Sequence, residues 1–230
     1  MSEVEELRWF KETFGPDVVK ALTNTPFTVD MLAAIALQET GEIWPLLRKK
    51  LSKEKILALC VGDTLDAPKR SAFPKNKAAL LAVPNGNQMW HVARAALLEV
   101  AEVIPSYRGA AKNPEKFCHG FGIWQYDIQF FKTDPEYFLQ ARWAVLEDAL
   151  GKAVGELKAA QKRVGLNGKS VLSNEDMAKV AIAYNRGSYN PARGLKQGYK
   201  DSAGVYYGEY FAKFLKMAQG VSDVAERPVA

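Results

Sequence analysis

Apolar residues along this chain recur more often at helical spacing than in strand-like alternation, and the pattern predicts a mainly α protein with little or no β-sheet. The spacing predicts a first helix from about Glu3 to Phe14, stopping before Gly15-Pro16, and a short second one through Val18, Val19 and Leu22. Thr28 is placed to cap a further helix, with Asp30 in its first turn and Gly41 as its stop. Ser52 caps a helix carrying Ile56, Leu57 and Cys60. Residues 62–86 hold three prolines among Asp, Asn, Lys and Gly, and read as a long loop or small lobe. An amphipathic pattern opens at Asn87 and ends at Pro105. Residues 106–126 are rich in Gly, Pro and aromatics, which suits an irregular loop lining a site. One long helix is expected from about Tyr137 to Val164, closed by Gly165 and Asn167-Gly168. Ser173 caps the next, ended by Gly187. After a loop over 188–203 the last helix runs near Tyr206–Gln219.

Length and composition narrow this picture. A chain of 230 residues can bury one sizeable core, so a single domain over 1–220 with a tail or linker at 221–230 is expected. No apolar run approaches the 18 residues of a membrane span. The net charge of +5 is spread along the chain and accompanies no nucleic-acid motif, so nucleic acid is not an expected partner. A basic surface of this size fits attraction to an acidic polymer such as a bacterial cell wall. The opening MSEVEELRWF has no apolar signal region, which suggests synthesis in the cytoplasm or an excised domain. Cys60 and Cys118 form no disulfide framework and are expected to be buried free thiols. His91 and His119 have no partners at metal spacing, so no metal site and no cofactor are expected. A monomer is expected.

Three segments carry candidate chemistry. In TVDMLAAIALQETG (28–41), Leu32, Ile35, Ala36 and Glu39 fall at i, i+3, i+4 and i+7, which puts the Glu39 carboxylate on the apolar stripe of its helix. Burial disfavours a charged carboxylate, so its pKa is expected to rise, toward an acid still protonated near neutral pH. On periodicity alone, a surface Glu at a frayed helix end is the better fit. In HGFGIWQYD (119–127), Gly120 and Gly122 permit unusual backbone angles or close approach of another chain. Trp124 and Tyr126 offer flat faces that suit sugar rings, and Gln125 and Asp127 offer hydrogen bonds. A tightly packed loop with core aromatics has the same composition. In AIAYNRG (181–187), Tyr184 shares a helix face with Val180 and Ala181; by itself it reads first as a core Tyr followed by an ordinary C-cap, and second as a hydroxyl presented to a buried acid. Asn185 could bind a sugar amide.

The order QETG, GFGIWQYD, AYNRG resembles the three signature segments of the goose-type lysozymes and lytic transglycosylases. These are a catalytic Glu before Ser/Thr-Gly or Ser-His, a G-x-G segment leading to Gln, and an A-Y-N-x-G helix end. The resemblance spans 38–187 and implies a lysozyme-like fold with a substrate cleft. It implies that Glu39 is the general acid, that Gln125 and Asn185 bind substrate, and that Tyr184 orients Glu39. Asp127 matches an Asp of goose-type lysozymes that positions the attacking water, and lytic transglycosylases generally lack it. Thr40 stands for the usual Ser, Trp124 for Met and Tyr126 for a small apolar residue, while 62–117 is longer than in the smaller transglycosylases. Glu42 is either a second carboxylate or an exposed loop acid, and Asp134 before Pro135 is a turn residue. The segment from Gly194 to Tyr210, with Gln197, Tyr199 and Tyr206, forms a cleft wall or packs as ordinary core.

The resemblance implies cleavage of β-1,4 bonds in peptidoglycan, by inverting hydrolysis or by lytic transglycosylation, at a cell wall or extracellular glycan. A chitinase using Glu39 and Asp127 on the same fold is the first alternative. A non-catalytic glycan-binding module is the second, and a helical scaffold without a glycan role the third.

Overall fold

A computed structural model describes residues 2–222; the remainder of the expected tail, 223–230, lies outside the described residues. Of the described residues 60% are helical and 4% are in strands, so the protein is mainly α. In chain order the helices are α1 (Glu3–Ala21), α2 (Val29–Thr40), α3 (Trp44–Leu47), α4 (Lys53–Leu59), α5 (Lys77–Leu81), α6 (Gly86–Val103), α7 (Arg108–Ala111), α8 (Pro135–Leu139), α9 (Leu146–Arg163), α10 (Asn174–Arg186) and α11 (Tyr207–Gln219). Three two-residue strands, β1 (Val61–Gly62), β2 (Gly120–Phe121) and β3 (Tyr126–Asp127), pair antiparallel in that order. No described helix is long and apolar enough to cross a membrane. The chain divides into two compact units, residues 1–39 with 150–230, and residues 40–149.

In the first unit α11 packs on both α1 and α10. Ser2 and Glu5 close a capping box at the start of α1. The expected stop at Gly15-Pro16 is not a stop. Pro16 lies inside α1, because its ring already holds a helical φ and its missing N–H forfeits one bond. Phe14 and Val18, both fully buried, hold the turns on either side. Lys11 is also buried, and its ammonium is satisfied by Asp30 at 2.5 Å and by the carbonyls of Ala218 at 2.9 Å and Val221 at 2.7 Å. It thereby accepts the role of a C-terminal cap for α11. The Thr28 hydroxyl accepts from Met31 N at 3.1 Å and starts α2 as its position predicts. Ser173 forms a capping box with Asp176, and Gly187 ends α10 at φ +81°.

The second unit sets one long helix, α6, among shorter pieces. Ser52 caps α4, as expected. The proline-rich stretch 62–86 contains one short helix, α5, capped by the Asn76 side chain. The long helix expected from Tyr137 is interrupted. After α8, Ala141 takes φ +51°, a 3-10 turn follows over Arg142–Ala144, and α9 begins only at Leu146. Trp143 explains the break: its ring is buried, and its indole N–H donates to Ala58 O at 3.2 Å. Placing that ring in the core outweighs the continuity of local helix, and no Gly or Pro marks the spot.

Candidate active site

Glu39 sits in the last turn of α2, half-buried. Leu32, Ile35 and Ala36 are fully buried, but so is every other residue from Met31 to Leu37. The helix is apolar on all sides, so periodicity does not single out one face. What distinguishes Glu39 is its neighbour. The Tyr207 side chain, at the first position of α11, is 2% exposed, and its hydroxyl faces the Glu39 carboxylate. That hydroxyl makes no hydrogen bond of regular geometry among the described residues, so its tie to Glu39 is electrostatic proximity. Its ionisation is pushed well up by burial, then by the Glu39 charge and by Tyr184, so Tyr207 stays a neutral donor at any working pH. Tyr184, half-buried near the end of α10, thus belongs to the same group of side chains.

The loop after α10 is fastened beside them. Asn185 Oδ1 accepts from Tyr199 N at 3.3 Å, and Tyr207 N donates to Tyr199 O at 2.8 Å. Gly198 has φ +85°, and a Cβ there would lie 2.5 Å from Tyr207 Cβ and 2.9 Å from Asn185 Oδ1. Only glycine satisfies both demands. Gln197 is buried and spends its whole carboxamide on the loop: Oε1 accepts from Arg186 and Asn190 N, and Nε2 donates to the carbonyls of Asn190 and Gly194.

In the second unit the Gly-x-Gly segment works as a seat for Gln125. Gly122 supplies a turn at φ +84°, and Gln125 itself takes φ +54°, a costly conformation for a residue with a side chain. Its Nε2 donates to Gly122 O at 2.8 Å and to Cys60 O at 3.3 Å. A Cβ at Gly120 would overlap Gln125 Oε1, and one at Gly62 would lie 2.8 Å from that oxygen and 2.9 Å from the Tyr107 hydroxyl. Glycines on β1 and β2 therefore let the carboxamide lie flat on the sheet. Thr40, buried, donates its hydroxyl to Ile123 O at 2.9 Å and ties the end of α2 to this segment.

The aromatics of the segment are engaged by the protein itself. Trp124 is 2% exposed, so it offers no open face to a sugar, contrary to expectation. Tyr126 stacks on Phe130 at 4.8 Å and on Phe138 at 5.5 Å. The packing value of bulky rings in this loop accounts for both.

Asp127 is held by Arg70, a residue without a role in the sequence reading. Arg70 Nη2 donates to Asp127 Oδ1 at 2.6 Å and Nη1 to Oδ2 at 3.0 Å, and Gln129 N donates to Oδ1 at 2.7 Å. The remaining guanidinium protons go to Asp63 Oδ2, Phe73 O and Pro74 O, so all five are used. His119 is fully buried alongside. Its Nδ1 lies 2.9 Å from Asp63 O, a carbonyl that only accepts, so Nδ1 carries the proton. Burial first, then the Arg70 charge, hold its pKa below the usual histidine value.

Compared with models of known families, with curated proteins and with solved structures, the chain matches none. Cys60 and Cys118 are buried free thiols, and burial pushes Cys60 up to about 12, which leaves no nucleophilic thiolate. Among the described residues no three His, Cys, Asp or Glu side chains gather to hold a metal ion. Glu42 is exposed, beside Tyr107. Asp134 precedes α8 as a turn residue would. Tyr207 and Arg70 were both missed. Tyr207 had a usable signal, a tyrosine opening a strongly amphipathic helix soon after AYNRG. Arg70 had none.

Proposed function

We propose that this protein cleaves β-1,4-linked amino-sugar polymers, peptidoglycan above all, on a lysozyme-like fold with Glu39 as general acid. The observation that carries the proposal is the Glu39 carboxylate at the end of a buried helix, faced by the buried Tyr207 hydroxyl with Tyr184 beside it. Motif order supports it, since QETG, GFGIWQYD and AYNRG each supply a structurally engaged residue. In this reading Glu39 gives its proton to the leaving glycosidic oxygen as the C1–O bond breaks, leaving an oxocarbenium-like centre. Tyr207 and Tyr184 keep the carboxyl in place, and Asn185, whose Oδ1 already accepts from Tyr199 N, keeps its amide N–H groups for the sugar.

The state of Asp127 favours one route for the second half of the reaction. A base that activates water works best when fixed donors do not already take up its acceptor sites. Asp127 spends three of its roughly four acceptor sites on Arg70 and Gln129, and the guanidinium that it shares with Asp63 holds it in place. Attack by the substrate's own 6-hydroxyl, with Glu39 now accepting its proton, requires no second carboxylate. Lytic transglycosylation is therefore the preferred chemistry, inverting hydrolysis the second. Mass spectrometry of digests of purified peptidoglycan tests this directly. A 1,6-anhydro end is expected; reducing ends would select hydrolysis, and no cleavage at all would defeat the enzyme reading and leave a glycan-binding module.

A further inference from the structure

The loop that carries Asn185's partner Tyr199 also carries cations that no carboxylate matches. Between 188 and 206 there are three cations, Arg193, Lys196 and Lys200, and one anion, Asp201, for a local balance of 3 − 1 = +2. Asp201 is occupied within the loop: its carboxylate accepts from Tyr210 Oη at 2.7 Å and from Val205 N at 2.8 Å. Glu209, the next acid, is spent on Tyr206 N at 3.0 Å. None of the three cations forms an ion pair among the described residues. Two of them converge on one ring, with Lys200 Nζ 5.4 Å and Arg193 Cζ 5.9 Å from the centre of Tyr206. Next to Lys200, Tyr199 is 66% exposed, the largest aromatic exposure on the chain's described surface.

The backbone here is fixed rather than loose. Gln197 stitches the loop to itself and to Arg186, and Lys200 bridges to Tyr206. The chain then alternates. Tyr206 turns toward the two cations, and Tyr207, one residue on, faces Glu39. A preorganised positive patch thus lies one residue along the chain from the contact of the proposed acid.

We propose that Arg193 and Lys200, mounted on Tyr206 and flanked by Lys196 and Tyr199, bind the carboxylates of peptide stems on the glycan. The inference rests on the glycan-cleaving reading above and deepens it: the preferred polymer carries anionic side branches, and chitin, which carries none, is disfavoured. Arg and Lys heads held over a ring retain full charge and lose little further freedom when a carboxylate docks.

The test is co-sedimentation of Glu39→Gln protein, which keeps the polymer intact, with insoluble sacculi free of teichoic acid. The same measurement is made on sacculi whose carboxylates have been converted to neutral amides by carbodiimide coupling, and on chitin. Intact sacculi are expected to bind tightest. R193Q/K200Q should weaken that binding about tenfold, and R193E/K200E further. Rising salt should weaken the parent and leave the double variant flat. Unchanged thermal midpoints establish that the variants fold. Equal binding to amidated and intact sacculi, or indifference to both substitutions, overturns the patch. Binding that appears only on walls carrying teichoic acid overturns it in favour of a phosphate ligand. Patch-dependent binding by a wild-type protein that fails to cut sacculi keeps the patch and rejects the enzyme.

Discussion

Two carboxylates were candidates for chemistry, and their surroundings differ in kind. Glu39, in the first unit, is faced by a neutral phenol that can donate without cancelling charge. Asp127, in the second, is clasped by a saturated guanidinium and a backbone amide. A phenol adds no charge beside a carboxyl, whereas a two-point guanidinium clasp fixes it in place and brings a positive charge to it. On the proposed reading, the same residue class serves chemistry at one position and architecture at the other, and the partner decides which.

The comparison breaks most sharply at Glu39. Glu39→Gln should lower turbidity clearance of purified peptidoglycan by about 10²- to 10⁴-fold, the worth of a general acid, with thermal stability nearly intact. Comparable clearance by the variant would remove the basis for the assignment. Arg70→Met should act in the opposite sense. It strands Asp127 and Asp63 around a 6%-exposed position, and chemical denaturation should show a loss of about 3 kcal/mol.

Asp127→Asn separates the two readings of that residue. As an architectural acid, it should cost about 1–3 kcal/mol in stability and less than about tenfold in turnover. A loss of turnover as deep as that of Glu39→Gln, with the fold preserved, would restore the water-activating role. Tyr207→Phe sharpens the other half: kcat should fall about tenfold with KM unchanged, since the hydroxyl faces the acid and not the sugar. A change in KM alone would place Tyr207 among substrate contacts.

The smallest effect concerns pH. His119 titrates lower in the folded protein than in the unfolded chain, where the usual value is about 6.5. Stability is then fully present above that value. It is lost as the pH falls through the window between the unfolded value and the lower folded one, because the unfolded chain takes up the proton first. Thermal midpoints should decline on acidification from pH 7 to 5, and less so in His119→Gln.

Much of the local architecture was legible from residues close together in sequence. Thr28, Ser52, Ser173 and Gly187 mark helix ends where a cap reads only its own next turn. Gly120 and Gly122 carried both of their expected uses, close approach at one and positive φ at the other. Where expectation failed, a distant contact had prevailed over a local signal. Trp143 broke a good helical pattern to reach Ala58, 85 residues away, and Pro16 stayed in α1 because buried Phe14 and Val18 anchor the helix around it.

By itself, then, the sequence determined a mainly helical chain, the caps that divide it, and the order of three short segments that singles out Glu39. Tertiary structure alone decided which neighbour each acid received. Tyr207 comes to Glu39 across 168 positions of sequence, the difference between 207 and 39, and Arg70 to Asp127 across 57. The physical reason is one of range. A cap or a turn is satisfied within a few residues, so composition encodes it, but the partner that sets a carboxylate's role is delivered by the packing of the whole chain.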